Sequence, residues 1–302
     1  MVATALCFSL MSLIVKFLGR RIPAAEIVCV RSAVTLVISY AMVRAAGVHP
    51  WGRRRSLLVL RGFAGFGALF CFFFAVTKLP LADVTVIHFT NPVFTAIFAA
   101  LFLKESMGRR EVVGLALCLA GVAFVAQPAL LFGEGARSLD VVAVGAGLSA
   151  ATLSAVAYTT VRKLRETDDP LVIVFYFPLI ATPASVPIML RDAVWPTPVE
   201  WVLLIAVGIV TQAGQIFLTK GLHRERAGRA MSMSYIQVVF AAAWGWMFFR
   251  EIPNTFAVCG AALILLGMLV VSRVGLETLS MAFAWPVQRG KRLFPRNSVR
   301  RR

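Results

Sequence analysis

Ten stretches of about twenty apolar residues succeed one another along this chain, at roughly 1–17, 25–43, 57–77, 82–103, 111–128, 140–161, 171–190, 199–219, 230–249 and 255–273. A helix needs about 20 such residues to cross the hydrocarbon core of a bilayer. The stretches are continuously apolar and do not alternate apolar with polar at period two. They therefore specify spanning helices and not barrel strands, since a helix satisfies its backbone polar groups within one segment. With 59% hydrophobic and 15% charged residues, the chain carries more apolar surface than a soluble domain buries. The expected fold is all-α, a polytopic membrane protein of ten transmembrane helices with the lipid bilayer as its solvent.

The net charge of +17 invites a nucleic-acid partner, but the distribution of the charge points to the membrane instead. With the N-terminus inside, the inner loops and the tail hold 22 Lys and Arg residues against 6 in the outer loops. The positive-inside rule then puts both termini in the cytoplasm of a cell (inner or plasma) membrane. The tail 274–302, with Arg289, Lys291, Arg292, Arg296, Arg300, Arg301 and Arg302, suits anionic headgroups. No charged segment precedes the first stretch, so a removable signal peptide is not expected. The cysteines, Cys7, Cys29, Cys71, Cys118 and Cys259, all fall inside apolar stretches without CxxC spacing, so neither a disulfide framework nor a zinc site is indicated.

Residues 93–125 and 239–271 are one pattern written twice. A shift of 146 superposes Val93, Phe94, Ala96, Phe102, Glu105, Val112, Gly114, Ala116, Leu117, Leu119, Gly121 and Val125 on identical residues. The chain divides into a first repeat, 1–128, and a second, 140–273, each of five stretches. Five is odd, so the second repeat enters the membrane inverted relative to the first. Inverted repeats build many secondary transporters, with substrate bound near the midplane between them. One chain carries both halves, so a monomer is sufficient, although the oligomeric state is left open.

Polar residues inside the stretches are the candidate site. His88, Asn91 and Thr95 are spaced i, i+3, i+7 and share one helical face. Pro92 cannot donate to the carbonyl of His88, which must be satisfied elsewhere or line a wet cavity. Two readings fit His88, a hydrogen-bonded packing histidine and a ligand contact. The shift of 146 carries His88 to Ser234 and Asn91 to Gln237, with Tyr235 between them. A shift of 142 sets Gln212 and Gln215 against Phe70 and Phe73. An amide face opposite an aromatic one suits a polar organic ligand with a flat or apolar part, while interhelical bonding and lipid contact are the structural alternatives. Arg31, about two turns into the second stretch, requires a partner such as Asp83, Glu26 or an anionic substrate group. Tyr158 and Tyr176 are weaker pathway candidates. Glu105 and Glu251, repeated at helix ends, read as structural. Gly114, Gly121, Gly260 and Gly267 read as close-packing positions.

The segments "NPVFTAIFAALFLKESMGRREVVGLALCLAGVAFV" and "QVVFAAAWGWMFFREIPNTFAVCGAALILLGMLVV" resemble the two tandem EamA domains of the drug/metabolite transporter superfamily. "RGFAGFGALFCFFFAVTKLPLADVTVIHFTNPVF" is similar to the third and fourth spans of that family. The resemblance covers residues 1–273. It implies a ten-span carrier of an organic metabolite, such as an amino acid, a nucleotide-sugar or S-adenosylmethionine, with a central cavity between the halves. Arg31 matches a second-span arginine common in the group. His88 stands where many relatives have a small or hydroxyl residue, so no role passes to it. Small multidrug-resistance relatives couple protons through a first-span glutamate, and Met1 to Phe17 contains no acid. The expected function is alternating-access transport of a small polar, zwitterionic or anionic metabolite. The competing classes are a membrane enzyme and a non-transporting scaffold. No HExxH, GxSxG or P-loop lysine motif occurs, so no enzyme, no ATP-driven pump, no cofactor and no metal are expected.

Overall fold

The computed structural model describes residues 1–79, 81–126, 140–249 and 255–271, and every regular element among them is helical. Each of the ten apolar stretches carries a helix. In order these are α1 (Val2–Leu18), α2 (Ala24–Ala45), α3 (Arg55–Lys78), α4 (Leu81–His88), α5 (Asn91–Leu103), α6 (Arg109–Ala126), α7 (Val141–Leu164), α8 (Pro170–Met189), α9 (Pro198–Arg224), α10 (Ala227–Ser232), α11 (Ile236–Phe249) and α12 (Thr255–Val271). Among the described residues, six stretches are long and apolar enough to cross a membrane: Ala24–Ala45, Arg55–Ala75, Val84–Leu103, Val141–Leu164, Pro170–Met189 and Pro198–Arg224. Val2–Leu18 and Thr255–Val271 are apolar but shorter. The protein is thus a multi-pass membrane protein. The basic tail 274–302 and Glu251 lie outside the described residues.

Two stretches expected as single helices are interrupted. The fourth breaks at Phe89-Thr90, between α4 and α5, and the ninth passes through a 3-10 turn, Met233–Tyr235, between α10 and α11. Pro92 explains the first break, because it removes one donor from the helical ladder. The second contains no proline.

Local chemistry sets several helix starts. Asp140 Oδ1 accepts from Val142 N and Ala143 N at α7. Asp169 caps α8 through Leu171 N, with Pro170 in the first turn. Thr197 and Glu200 form a reciprocal capping box at α9. At the end of α5, Lys104 takes up the left-handed conformation, φ 54°, and Glu105 N reaches back to Ala99 O.

Apolar residues face outward as well as inward, and polar residues are buried beside an apolar core that includes Leu58, Leu164, Ile173, Leu218 and Ile264. Val37, Phe63, Phe102, Val141 and Trp195 are exposed, whereas Thr4, Ser9, Ser32, Thr35, Ser39, Thr211 and Gln212 are buried. Apolar side chains facing outward in this number suit a hydrocarbon solvent. Between helices in lipid, small residues and interhelical hydrogen bonds add to the packing of these apolar clusters.

The helix pairings are reciprocal. α6 lies along α12, α2 along α8, α3 along α7 and α1 along α9, while α5 meets α7 as α11 meets α1. Replacing each apolar stretch by the one five places on turns every one of these pairs into another or into itself. The α6–α12 seam is the tightest. A Cβ on Gly121 would lie 2.6 Å from Gly260 O, and one on Gly114 would lie 2.6 Å from Gly267 O. The seam therefore needs four glycines, and its register, 114 to 267 and 121 to 260, makes α6 and α12 antiparallel. α2 and α8 are antiparallel too. At one end of α2, Glu26 Oε2 accepts from Val194 N, and beyond its other end Asp168 accepts from Arg53 N and Arg54 N.

Gly121→Leu is expected to destabilise the protein by about 1–3 kcal/mol or more, since the added atoms meet backbone that cannot rotate away. The midpoint of thermal unfolding in detergent checks it, with the exposed Gly145→Leu, whose Cβ meets nothing within 4 Å, as the neutral comparison.

Candidate functional site

The break between α4 and α5 is where the sequence candidates gather. Asn91 Nδ2 donates to His88 O at 2.8 Å, which satisfies the carbonyl that Pro92 leaves free. Thr90 Oγ1 donates to Ile87 O at 2.6 Å, and Tyr235 Oη donates to Phe89 O at 2.8 Å. Asn91 and Tyr235 thus replace the ladder donors at His88 O and Phe89 O, while Ile87 O accepts from both Thr90 N and Thr90 Oγ1. Thr95 Oγ1 turns back to Asn91 O at 2.7 Å. Asn91 Oδ1 is buried and without a hydrogen-bond partner.

Tyr235 comes from the other break. It is fully buried on the 3-10 turn and its ring stacks on Phe89, centroids 5.7 Å apart and planes at 28°. Phe89 and Tyr235 are 146 residues apart, so they are the corresponding residues of the two repeated patterns. Ser234 Oγ bonds locally to Met231 O, and Gln237 is half-buried on α11. His88 is half-buried, with its ring 4.8 Å from that of Phe72 and its Nδ1 without a hydrogen-bond partner.

A second polar group lies along α9. Gln212 Oε1 accepts from Ser39 Oγ at 3.0 Å, and Gln215 Oε1 accepts from Arg61 Nη2 at 3.2 Å. Arg61, on α3, is buried; its guanidinium sits 5.2 Å from the centre of the Phe177 ring, and its Nε has no hydrogen-bond partner. Tyr158 is half-buried on α7. Gly65, one turn on, makes the room: a Cβ there would lie 2.5 Å from Arg61 Nη1. Arg31 is 9% exposed, and its Nη1 rests 3.6 Å from Met11 Sδ. Of its expected partners, Glu26 is turned to Val194 N, and the side chain of Asp83 lies outside those described. Phe73 is half-buried beside Phe72, whereas Phe70 is 52% exposed. The ring set against Arg61, the partner of Gln215, is that of Phe177 on α8. Tyr176 is tied to the 46–54 loop through a bond from its hydroxyl to Trp51 O at 3.0 Å.

Glu105 closes one end of the bundle. It accepts from Arg162 Nε at 2.7 Å and from Ala227 N at 2.9 Å, while Arg162 Nη1 donates to Leu222 O and His223 O. One carboxylate thereby ties the ends of α5, α7, α9 and α10 together. A recess of about 230 Å³ opens beside this clasp, between Phe102, Glu105, Lys163 and Glu166. None of the sequence candidates lines it. Outside the helices, Glu166 is held below the usual carboxylate range by its hydrogen bond to Lys163. At the opposite end Arg21 bonds Glu200 and Trp195 O.

Arg61 is absent from the candidates read in the sequence. It stands near the start of a long apolar stretch, where an arginine looks like an interfacial residue. The signal that separates it is its place six residues inside α3, beyond Arg55, with Gly65 at i+4.

The fold and this buried polar interior define a multi-helical membrane transporter. The EamA-like transporter family profile matches residues 1–127 and again 141–273, and the chain belongs to that family. It is 35% identical over 273 residues to the pseudopaline exporter CntI of Pseudomonas aeruginosa, covering 90% of this chain and 94% of that protein. It is 31% identical over 286 residues to solute carrier family 35 member G1 of Mus musculus, covering 91% and 76%. A probable transport protein of Saccharomyces cerevisiae is 30% identical over 81% of this chain and 76% of its own. One solved crystal structure matches with a TM-score of 0.79 over 90% of this chain and 96% of that chain; at 20% identity the likeness is one of fold.

Tyr235→Phe leaves Phe89 O buried without its donor. An expected loss of about 1–3 kcal/mol follows, read as a lower thermal midpoint with the helical circular-dichroism signal retained. Glu105→Ala leaves Arg162 buried and uncompensated, and about 3–5 kcal/mol is the expected cost, checked in the same melt.

Proposed function

We propose that the protein is a secondary carrier that moves a small polar, zwitterionic or anionic organic metabolite across the inner or plasma membrane by alternating access. In this reading the ten stretches all span, as two inverted repeats of five, 1–128 and 140–273, with both termini and the basic tail in the cytoplasm. The observation that carries it is the meeting of Phe89 and Tyr235. Each lies at the break in its own repeat, they correspond under the 146 shift, and they stack and hydrogen-bond to each other. Broken helices meeting at the interface of two repeats are the usual construction of a carrier's substrate site. The antiparallel register of α6 with α12 and of α2 with α8 supports the inversion, since corresponding helices related by an axis in the membrane plane run in opposite directions.

The two ends supply the gates. One is the Glu105–Arg162 clasp, with Arg226 Nη1 bonded to Ser106 O at 2.9 Å. The other is Arg21 with Glu200. A carrier must open each in turn, whereas a scaffold or a membrane-embedded enzyme has no such need. The family and the relatives' names are those of transporters, which weighs the same way.

Cysteine pairs at Ser106 with Arg226, and separately at Arg21 with Glu200, test this in a background where the native cysteines are replaced by alanine. The readout is counterflow of a labelled metabolite mixture in proteoliposomes. Oxidative cross-linking at either end is expected to stop counterflow, and reductant to restore it. Transport that continues with both ends locked, or no counterflow of any organic solute by the uncross-linked protein, sinks the reading.

A further inference from the structure

The membrane interior of this protein holds two guanidinium groups that no described carboxylate neutralises. Arg31 and Arg61 are 9% and 2% exposed. The buried acids Glu26 and Asp168 and the half-buried Glu105 are committed elsewhere: Glu26 to Val194 N, Glu105 to Arg162 and Ala227 N, and Asp168 to Arg53 N, Arg54 N and Thr167. A charge deep in a bundle is retained where it pairs or serves a pathway.

Helix register sets the two cations along one stretch of α9. α1 and α9 run antiparallel, with Phe8 against Gly214 and Met1 against Gly221, which sets Met11 opposite Thr211. Arg31 Nη1 rests on Met11 Sδ and Arg61 Nη2 on Gln215 Oε1. α2 runs parallel to α9, with Val34 against Gly208 and Ser39 bonded to Gln212, so Arg31 and Gln215 are at most about ten residues, roughly 15 Å of rise, apart along the bundle. On this stretch of α9 stand Thr211 Oγ1, buried and without a hydrogen-bond partner, and the amide of Gln212. Arg61 Nε is likewise unpartnered.

We propose that Arg31 and Arg61, with Thr211 and Gln215 on the helix they share, bind an organic anion carrying two acidic groups joined by a carbon chain, carboxylate or phosphate. This rests on the carrier reading and narrows its cargo to the dianionic class. A guanidinium offers a planar fork of donors that fits either oxyanion, and two of them in a dry site select against cations and against single charges. The Phe177 ring beside Arg61 provides an apolar contact for the carbon skeleton that joins the two groups.

The test is ligand-induced stabilisation of purified full-length protein in detergent, since a ligand that binds the folded state raises its thermal midpoint. The probes are linear dicarboxylates from succinate to suberate, phosphoglycolate, butyrate, glutamine, choline and glutaramide. At millimolar concentration a dicarboxylate or phosphoglycolate is expected to raise the midpoint by a few degrees; butyrate, choline and glutaramide are not. Whichever of the two dianion arms gives the larger shift identifies the oxyanion. Arg31→Gln and Arg61→Gln should each weaken that dianion about 10- to 100-fold, with Arg61→Lys restoring part of the loss and the exposed Arg44→Gln changing nothing. Should the glutamine variants fail to fold, the charge series on the unaltered protein still decides. Dianions that stabilise no better than butyrate or glutaramide, or Gln variants that bind them undiminished, overturn the proposal. Counterflow of a zwitterion or a cation with dianions inert overturns it too, while leaving the carrier reading intact.

Discussion

A carbonyl freed inside a membrane has no water to turn to, so the protein must supply the donor or abandon the break, and this constraint shapes the centre of the molecule. Pro92 opens the ladder, Asn91 takes the His88 carbonyl, Thr90 takes that of Ile87, and Tyr235 crosses from the other repeated pattern to take that of Phe89. The polar residues that looked like a ligand face are in large part the repair of one helix. What remains open after the repair is small and specific: Asn91 Oδ1 and His88 Nδ1. A break held by side chains from another segment differs from a free hinge, because moving one half withdraws the donor that the other half needs.

The same accounting applies to charge. Arg162 is as buried as Arg31 and Arg61, yet it has a carboxylate and two carbonyls, and it locks an end of the bundle. Arg61 has an amide and a ring. Arg31 has a thioether. Similar side chains in a similar medium therefore divide into a clasp and a pair of cations that want anions, and the division is made by which acids lie within reach.

The helices were legible in the sequence because hydrocarbon demands length and continuity of apolar residues, and those are properties of a run of sequence. Gly114, Gly121, Gly260 and Gly267 were legible as close-packing positions, since glycine repeated at matching positions has few other uses in a spanning helix, but that they join α6 to α12 was not. Pro92 announced one break. The second, at Met233–Tyr235, contains no such residue and follows from how that segment packs. Phe70 was set opposite Gln212 by a repeat offset, which carries no information on how each helix is rotated about its axis; the exposed ring shows that rotation.

By itself, then, the sequence determined an all-helical membrane protein with a duplicated pattern, its small-residue contact and its kinked fourth stretch, because each is written in the spacing of residues along one segment. Only the tertiary structure decided that Phe89 and Tyr235 meet, that Glu26 and Glu105 are taken by other partners, and that Arg61 rests on Gln215 while Arg31 rests on Met11. Those outcomes depend on register and rotation between helices distant in sequence. That is a property of packed surfaces, which no single stretch records.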